Sequence, residues 1–266
     1  MGVVNVTPDS FSDGGAWFTP EAAVAHGREL VAQGADLLDV GGESTRPGAE
    51  RPSTAEELRR VLPVVEALST LAPVSVDTMR ADVAAAALDA GAALVNDVSG
   101  GLADPEMVPM VAQRAVPFVA MHWRGHSRDM QQRAQYDDVV ADVVRELAER
   151  VEALTAAGLH PDAVLLDPGF GFAKNAQHNW ELLRRLDEVV ALGHRVIVGT
   201  SRKTFLGSVG RAATTARPPL ERDVATAVTT AHAARHRVWC VRVHDVVATV
   251  DALDVVEALH GPEAER

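Results

Sequence analysis

Apolar runs of four or five residues recur along the chain, each ending in a polar residue and a turn and each followed by a longer stretch with helical periodicity. The stretch Ala163-Val-Leu-Leu-Asp167-Pro-Gly shows the unit most openly. Four apolar residues suit a strand buried on both faces, Asp167 ends it, and Pro168 and Gly169 turn the backbone at once. Val3–Asn5, Leu37–Val40, Val74–Asp77, Leu94–Asn96, Phe118–His122, Val196–Thr200 and Trp239–His244 repeat the pattern. Amphipathic helices are predicted over Pro20–Gln33, Ala55–Leu68, Arg80–Ala90, Glu106–Gln113, Asp137–Ala157, His178–Leu192, Arg222–His236 and Val247–Leu259. Ser53 or Thr54 with Glu56 or Glu57 reads as a capping box, and Gly34, Gly91, Gly158 and Gly193 read as C-terminal stops.

Eight strand-helix pairs predict a (β/α)8 TIM barrel, a single domain over residues 1–266 with its chemistry at the C-terminal ends of the strands. A doubly wound open sheet is the alternative. No linker or repeat divides the chain, and Arg211–Pro219 reads as a flexible surface loop.

Composition narrows the function. A formal charge of -12 and a pI near 5.2 argue against nucleic acid or an anionic membrane as partner, so any anionic substrate needs a local basic site. A single cysteine, Cys240, excludes an internal disulfide framework and fits a reducing cytoplasm. There is no 18-residue apolar run and no leader pattern, which predicts a soluble protein. The chain opens directly in its first strand, which predicts a few further native residues upstream. Of 25 basic residues only Lys174 and Lys203 are lysines, so each marks a place where a compact ammonium is needed.

Candidate chemistry lies at the strand ends. Asn5–Gly15 and Gly41–Gly48 are too long and polar to be minimal turns and suit loops that order over a ligand. Asp77, Asn96 and Asp167 end three strands. A carboxylate and a carboxamide at one mouth can grip the donor-acceptor edge of a flat heterocycle, although each alone would also serve as a helix cap. The loops after the seventh and eighth strands, Gly199–Thr204 and Val241–Asp245, occupy the phosphate-binding position of such barrels. Arg242 and His244, two apart on an extended segment, can clamp a phosphate together, with a satisfied core histidine the plainer reading of His244. His122 and His126 lack metal-ligand spacing, and no His/Cys cluster exists. Magnesium held by phosphates, water and one oxygen such as that of Asn5 would leave little more trace.

Taken together, eight segments in order resemble the dihydropteroate synthases of the folate pathway: Met1–Gly15, Asp39–Gly48, Ser75–Thr78, Asn96–Gly100, Met121–Gly125, Asp167–Lys174, Ser201–Lys203 and Arg242–Asp245. The resemblance implies the joining of 6-hydroxymethyl-7,8-dihydropterin diphosphate to p-aminobenzoate, giving 7,8-dihydropteroate and pyrophosphate, with Mg2+ as cofactor. Carried over, Asp77, Asn96, Asp167 and Lys203 would hold the pterin ring, with Val98, Met121 and Phe172 lining its slot. Asn5, Arg242 and His244 would take the diphosphate, and Asn5 would also meet the metal. Phe11, Asp13, Thr45, Arg46, Pro47 and Thr204 would surround p-aminobenzoate, Thr204 standing where the family often has serine. Asp77, Asp167, Lys203 and Arg242 would carry the catalysis. The resemblance further implies a homodimer through the later helices and inhibition by sulfonamides. Two alternatives remain: a non-catalytic pterin-binding paralogue, and a corrinoid-linked methyltetrahydrofolate methyltransferase, which would lack the two long loops and the phosphate clamp.

Overall fold

Among the described residues, eight strands pair in parallel, each with the next one in sequence. The computed structural model describes residues 1–7, 19–44, 51–125, 133–209 and 216–260. Its strands are β1 (Gly2–Asn5), β2 (Leu38–Gly41), β3 (Val74–Asp77), β4 (Leu94–Asp97), β5 (Phe118–Met121), β6 (Val164–Asp167), β7 (Arg195–Val198) and β8 (Cys240–Val241), in that spatial order. The ring closes where Gly2 bridges Val243: the Val3 N–H donates to Val243 O at 3.0 Å and the Val243 N–H donates to Met1 O at 2.9 Å. Closure makes this a (β/α)8 barrel and removes the open-sheet alternative.

Side-chain alternation separates two apolar layers. Val4, Val40, Val76, Val95, Phe118, Ala120, Leu166, Val196 and Val198 point outward and pack with the helices in one large buried cluster. The opposite face carries Met1, Leu94, Val119, Leu165 and Ile197, a separate buried cluster that fills the barrel floor, with Leu37 and Cys240 packed against it. Two residues beyond Leu94, Val119, Leu165, Ile197 and Cys240 along the same face stand Asn96, Met121, Asp167, Gly199 and Arg242. The floor therefore excludes water beneath, and the polar layer above it opens at the strand tips.

The outer helices are α1 (Pro20–Ala32), α2 (Thr54–Leu68), α3 (Ala81–Asp89), α4 (Met107–Arg114), α5 (Val139–Ala156), α6 (Ala176–Arg184), α7 (Leu186–Val190), α8 (Asp223–Arg235) and α9 (Val246–His260). Gly34, Gly91, Gly158 and Gly193 follow α1, α3, α5 and α7 with φ of 104°, 107°, 103° and 80°, the left-handed stop expected of them. Ser53 caps α2 by accepting from the Glu56 N–H at 3.2 Å, while the Glu56 carboxylate is taken by Arg59 and Arg60.

The segment His178–Leu192 is not the single helix its periodicity predicts. It splits into α6 and α7 at Arg185 (φ -114°, ψ 34°). Arg185 reaches both oxygens of Asp138, the N-cap of α5, at 3.0 and 2.9 Å, and also grips Glu188 at 2.6 Å. These tertiary contacts hold a break that no glycine or proline announces. The predicted eighth strand is shorter as well: only Cys240 and Val241 pair with β7, while Trp239, 46 % exposed, contributes just its N–H to Val196 O at 2.9 Å. Residues 211–215 of the expected surface loop lie outside the described residues, and Pro219–Arg222 forms a short helical turn leading into α8.

Candidate active site

One cavity at the C-terminal mouth is lined by Asp77, Asn96, Val98, Met121, Asp167, Phe170, Phe172, Gly199, Ser201, Lys203, Arg242 and His244. It draws on β3 through β8, and strand register explains why: Asp77 pairs with Asn96, and Met121 with Asp167, at one level of the barrel. Met79, Val98 and Met121 form a small buried cluster with Phe172 and Trp123 packed on it, giving the slot an apolar wall. Gly199 stands between two of these groups: an added Cβ would make ordinary contact with Asp167 Oδ2 at 3.8 Å and Arg242 Cβ at 4.0 Å.

The guanidinium of Arg242 bridges two carboxylates, donating from Nε to Asp39 Oδ2 at 2.5 Å and from Nη2 to Asp77 Oδ2 at 3.0 Å. Asn96 Nδ2 donates to the same Asp39 oxygen at 3.2 Å. One cation serving two carboxylates leaves the pair short of positive charge. Burial, then the neighbouring Asp39 carboxylate, push the Asp77 carboxyl up to about 8, against the pull of Arg242. Burial also raises Asp167, although its Oδ1 accepts from the Gly169 N–H at 2.7 Å and Lys203 stands nearby. Burial lowers Lys203 to about 8, with Asp167 pulling the other way, and its Nζ lies 4.2 Å from the Phe172 ring centroid. Burial in the slot disfavours the ionised forms of Asp77 and Asp167, so the site favours a ligand that offers N–H donors or positive charge.

Beside Arg242 at the cavity rim, His244 Nδ1 lies 2.9 Å from Ser201 Oγ, and its backbone N–H donates to the same oxygen at 3.1 Å. The ring is half-buried at the rim, unlike a core histidine. Asn5 ends β1 and pairs in register with Gly41, which pairs with Asp77, so it stands at the same level on the edge of the mouth. Thr204 is exposed beside Lys203. Phe11, Asp13, Thr45, Arg46 and Pro47 lie outside the described residues, as does His126.

Three lining residues escaped the sequence reading as site residues: Phe170, Gly199 and Ser201. So did Asp39, which is fully buried and holds both Arg242 and Asn96. Asp39 carried a visible signal, since a carboxylate inside the run Leu37-Leu-Asp-Val has no place on a strand buried on both faces unless a cation meets it.

The fold and the mouth together define the class: a (β/α)8-barrel enzyme whose strand tips present carboxyls, a carboxamide and cations around a flat slot. The sequence matches the pterin binding enzyme family over residues 1–244. It is 54 % identical to the dihydropteroate synthase of Mycobacterium leprae across all of this chain and 95 % of that protein. The structure resembles Xanthomonas albilineans dihydropteroate synthase with 4-aminobenzoic acid, with a TM-score of 0.89 and 47 % identity over 98 % of this chain and 93 % of that one. It also resembles the dihydropteroate synthase of the same organism in complex with 7,8-dihydropteroate, with a TM-score of 0.85 and 44 % identity over the same shares. The chain belongs to the pterin binding enzymes and, within them, to the dihydropteroate synthases, which are transferases.

Proposed function

We propose that this enzyme joins 6-hydroxymethyl-7,8-dihydropterin diphosphate to p-aminobenzoate, releasing pyrophosphate, through one pterin-binding barrel spanning residues 1–266. The observation that carries the reading is the single cavity shared by Asp77, Asn96, Asp167, Lys203, Arg242 and His244. Asp77, Asn96, Asp167 and Lys203 hold the polar edge of the pterin, with Val98, Met121 and Phe172 against its faces. Arg242 and His244, with Asn5, take the diphosphate. As the C–O bond to the leaving group lengthens, positive charge spreads from the methylene into the ring and favours the ionised forms of Asp77 and Asp167, which burial alone disfavours, so that the two stabilise it. The arylamine is a weak base and neutral at pH 7, so its lone pair attacks without prior deprotonation; the proton it sheds once the C–N bond has formed passes to water or to the departing pyrophosphate, and positioning carries much of the rate. Phe11, Asp13, Thr45, Arg46, Pro47 and Thr204 are the residues we assign to p-aminobenzoate.

Mg2+ fits a site built this way. Among the described residues no group of three His, Cys, Asp or Glu side chains is arranged to hold a metal. The neutral oxygen of Asn5 at the rim is the hard donor that a largely phosphate- and water-held Mg2+ requires. Bound there, the ion would neutralise charge on the departing pyrophosphate.

Two further readings concern the whole molecule. A homodimer is supported by exposed apolar side chains on α8 and α9: Val224, Val228, Val255 and Leu259. A cytoplasmic site of action is supported by the unpaired Cys240, and among the described residues no helix is long and apolar enough to cross a membrane. The test of the main proposal is to mix both substrates with Mg2+ and follow dihydropteroate. Absence of product from folded protein that binds the pterin diphosphate would favour the non-catalytic paralogue instead.

A further inference from the structure

The turn between β6 and α6 runs through left-handed backbone, which two glycines adopt freely and Ala173 adopts only at a cost. Gly169, Gly171 and Ala173 have φ of 69°, 78° and 46°, three left-handed residues in five positions, one of them with a Cβ. A Cβ at Gly169 would lie 2.6 Å from the His122 carbonyl oxygen, so the turn is also pressed onto the end of β5. Something must hold this arrangement, and its centre is Lys174. The ammonium is 3 % exposed and donates to Gly169 O at 3.1 Å and Phe172 O at 3.2 Å, with His122 Nδ1 at 3.0 Å. These three partners match the three hydrogens of an ammonium, a charge that burial opposes, lowering Lys174 to about 7, and that Asp167 supports. Behind it, His122 Nε2 lies 3.0 Å from Glu146 Oε2, and Arg124 pairs with the same carboxylate at 3.1 Å. Tyr136 OH donates to Ala173 O at 3.0 Å and Asn179 Oδ1 accepts from the Gly171 N–H at 2.7 Å, closing the cage.

What this cage fixes lies on the other side of the turn. Gly169, whose carbonyl the ammonium holds, presents its N–H to Asp167 Oδ1 at 2.7 Å; Phe172, also held by its carbonyl, stacks its ring beneath Lys203 in the slot. We infer that Lys174 is a positioning residue: its ammonium ties Gly169 and Phe172 together so that the Asp167 carboxylate and the Phe172 ring meet the pterin from fixed directions. The inference rests on the proposed pterin slot. It also accounts for lysine at this position in a chain whose other basic residues, Lys203 apart, are all arginine. Three acceptors converging on one point suit a compact ammonium, and a planar guanidinium cannot satisfy them.

The test measures pterin diphosphate binding by calorimetry and p-aminobenzoate KM by turnover, for wild type and four variants. Lys174→Met, which keeps the stem, is expected to weaken pterin diphosphate at least tenfold while the p-aminobenzoate KM moves less than twofold. Lys174→Arg is expected to be no better. His122→Asn, whose oxygen replaces Nδ1, should stay within threefold of wild type, and His122→Leu should lose fivefold or more. Wild-type affinity in Lys174→Met, or equal affinities in the two His122 variants, overturns the inference; wild-type affinity in Lys174→Arg overturns its geometric basis. If the Lys174 variants do not fold, the His122 pair decides. If wild type itself does not bind pterin diphosphate, the proposed function fails, and amide exchange at Gly171 and Phe172 decides the positioning claim. Faster exchange in the Leu variant than in the Asn variant supports it, and equal rates overturn it.

Discussion

Replacing Arg242 by methionine tests whether one cation holds the barrel mouth together. The substitution keeps most of the aliphatic stem and removes the charge that now faces Asp39 Oδ2 at 2.5 Å and Asp77 Oδ2 at 3.0 Å. Asp39 is fully buried, and its Oδ1 finds no hydrogen-bond partner among the described residues, so it depends heavily on the guanidinium. Breaking a buried pair by removing one partner costs about 3–5 kcal/mol. For a chain of this size that corresponds to a fall in Tm of roughly 6–20 °C. The fall should shrink at lower pH, where Asp77, raised by burial, holds a proton and no longer needs a counter-ion. Adding Asp39→Asn to Arg242→Met should restore part of the loss, a coupling that a double-mutant cycle measures directly. Calorimetric scans at pH 5 and pH 8 give all four values. An Arg242→Met protein that melts within about 2 °C of wild type at pH 8, or a double variant less stable than the single one, would refute the reasoning.

The remaining predictions concern the slot. Asp77 titrates near 8 in the folded protein against 3.8 ordinarily. The fold therefore binds a proton that the unfolded chain releases; this stability is fully present below about pH 4 and is lost as pH rises through 8. Asp77→Asn should flatten that decline in a series of Tm measurements, and an unchanged slope would count against the assignment. Asn96→Ala removes both a donor to Asp39 and a ligand group, and should weaken pterin diphosphate by about 5- to 150-fold, the effect of about 1–3 kcal/mol for an unmatched buried polar group. Sulfonamides, as p-aminobenzoate mimics, should inhibit competitively, so added p-aminobenzoate should relieve them; inhibition indifferent to it would contradict the loop assignment.

Much of this was legible because barrel strands announce themselves. Runs such as Val-Leu-Leu-Asp167 and Val-Ser-Val-Asp77 combine full burial with a polar tip, and eight of them interleaved with helices leave few topologies. The sequence could not separate the two faces of those strands, because both are apolar; only the closed ring distinguishes Val95, packed on helices, from Leu94, in the floor. A carboxylate inside an apolar strand calls for a cation, but for Asp39 that cation is Arg242, 203 residues away, and no local pattern connects them. Arg185 interrupts a periodic helix for the same kind of reason, through Asp138, 47 residues earlier. Lys174 stood out by its rarity, but its function as a clamp depends on His122 and on carbonyl groups, which carry no signature in sequence.

The central claim is that side chains from separate strands meet at one rim, carboxyls and carboxamide on the ring and cations on its leaving group. Crystals of the wild-type protein soaked with pterin diphosphate test it most directly. The account predicts density for the ring between Asp77, Asn96, Asp167 and Lys203, with the diphosphate on Asn5, Arg242 and His244. A ring bound elsewhere, or a diphosphate turned away from Arg242, would contradict it.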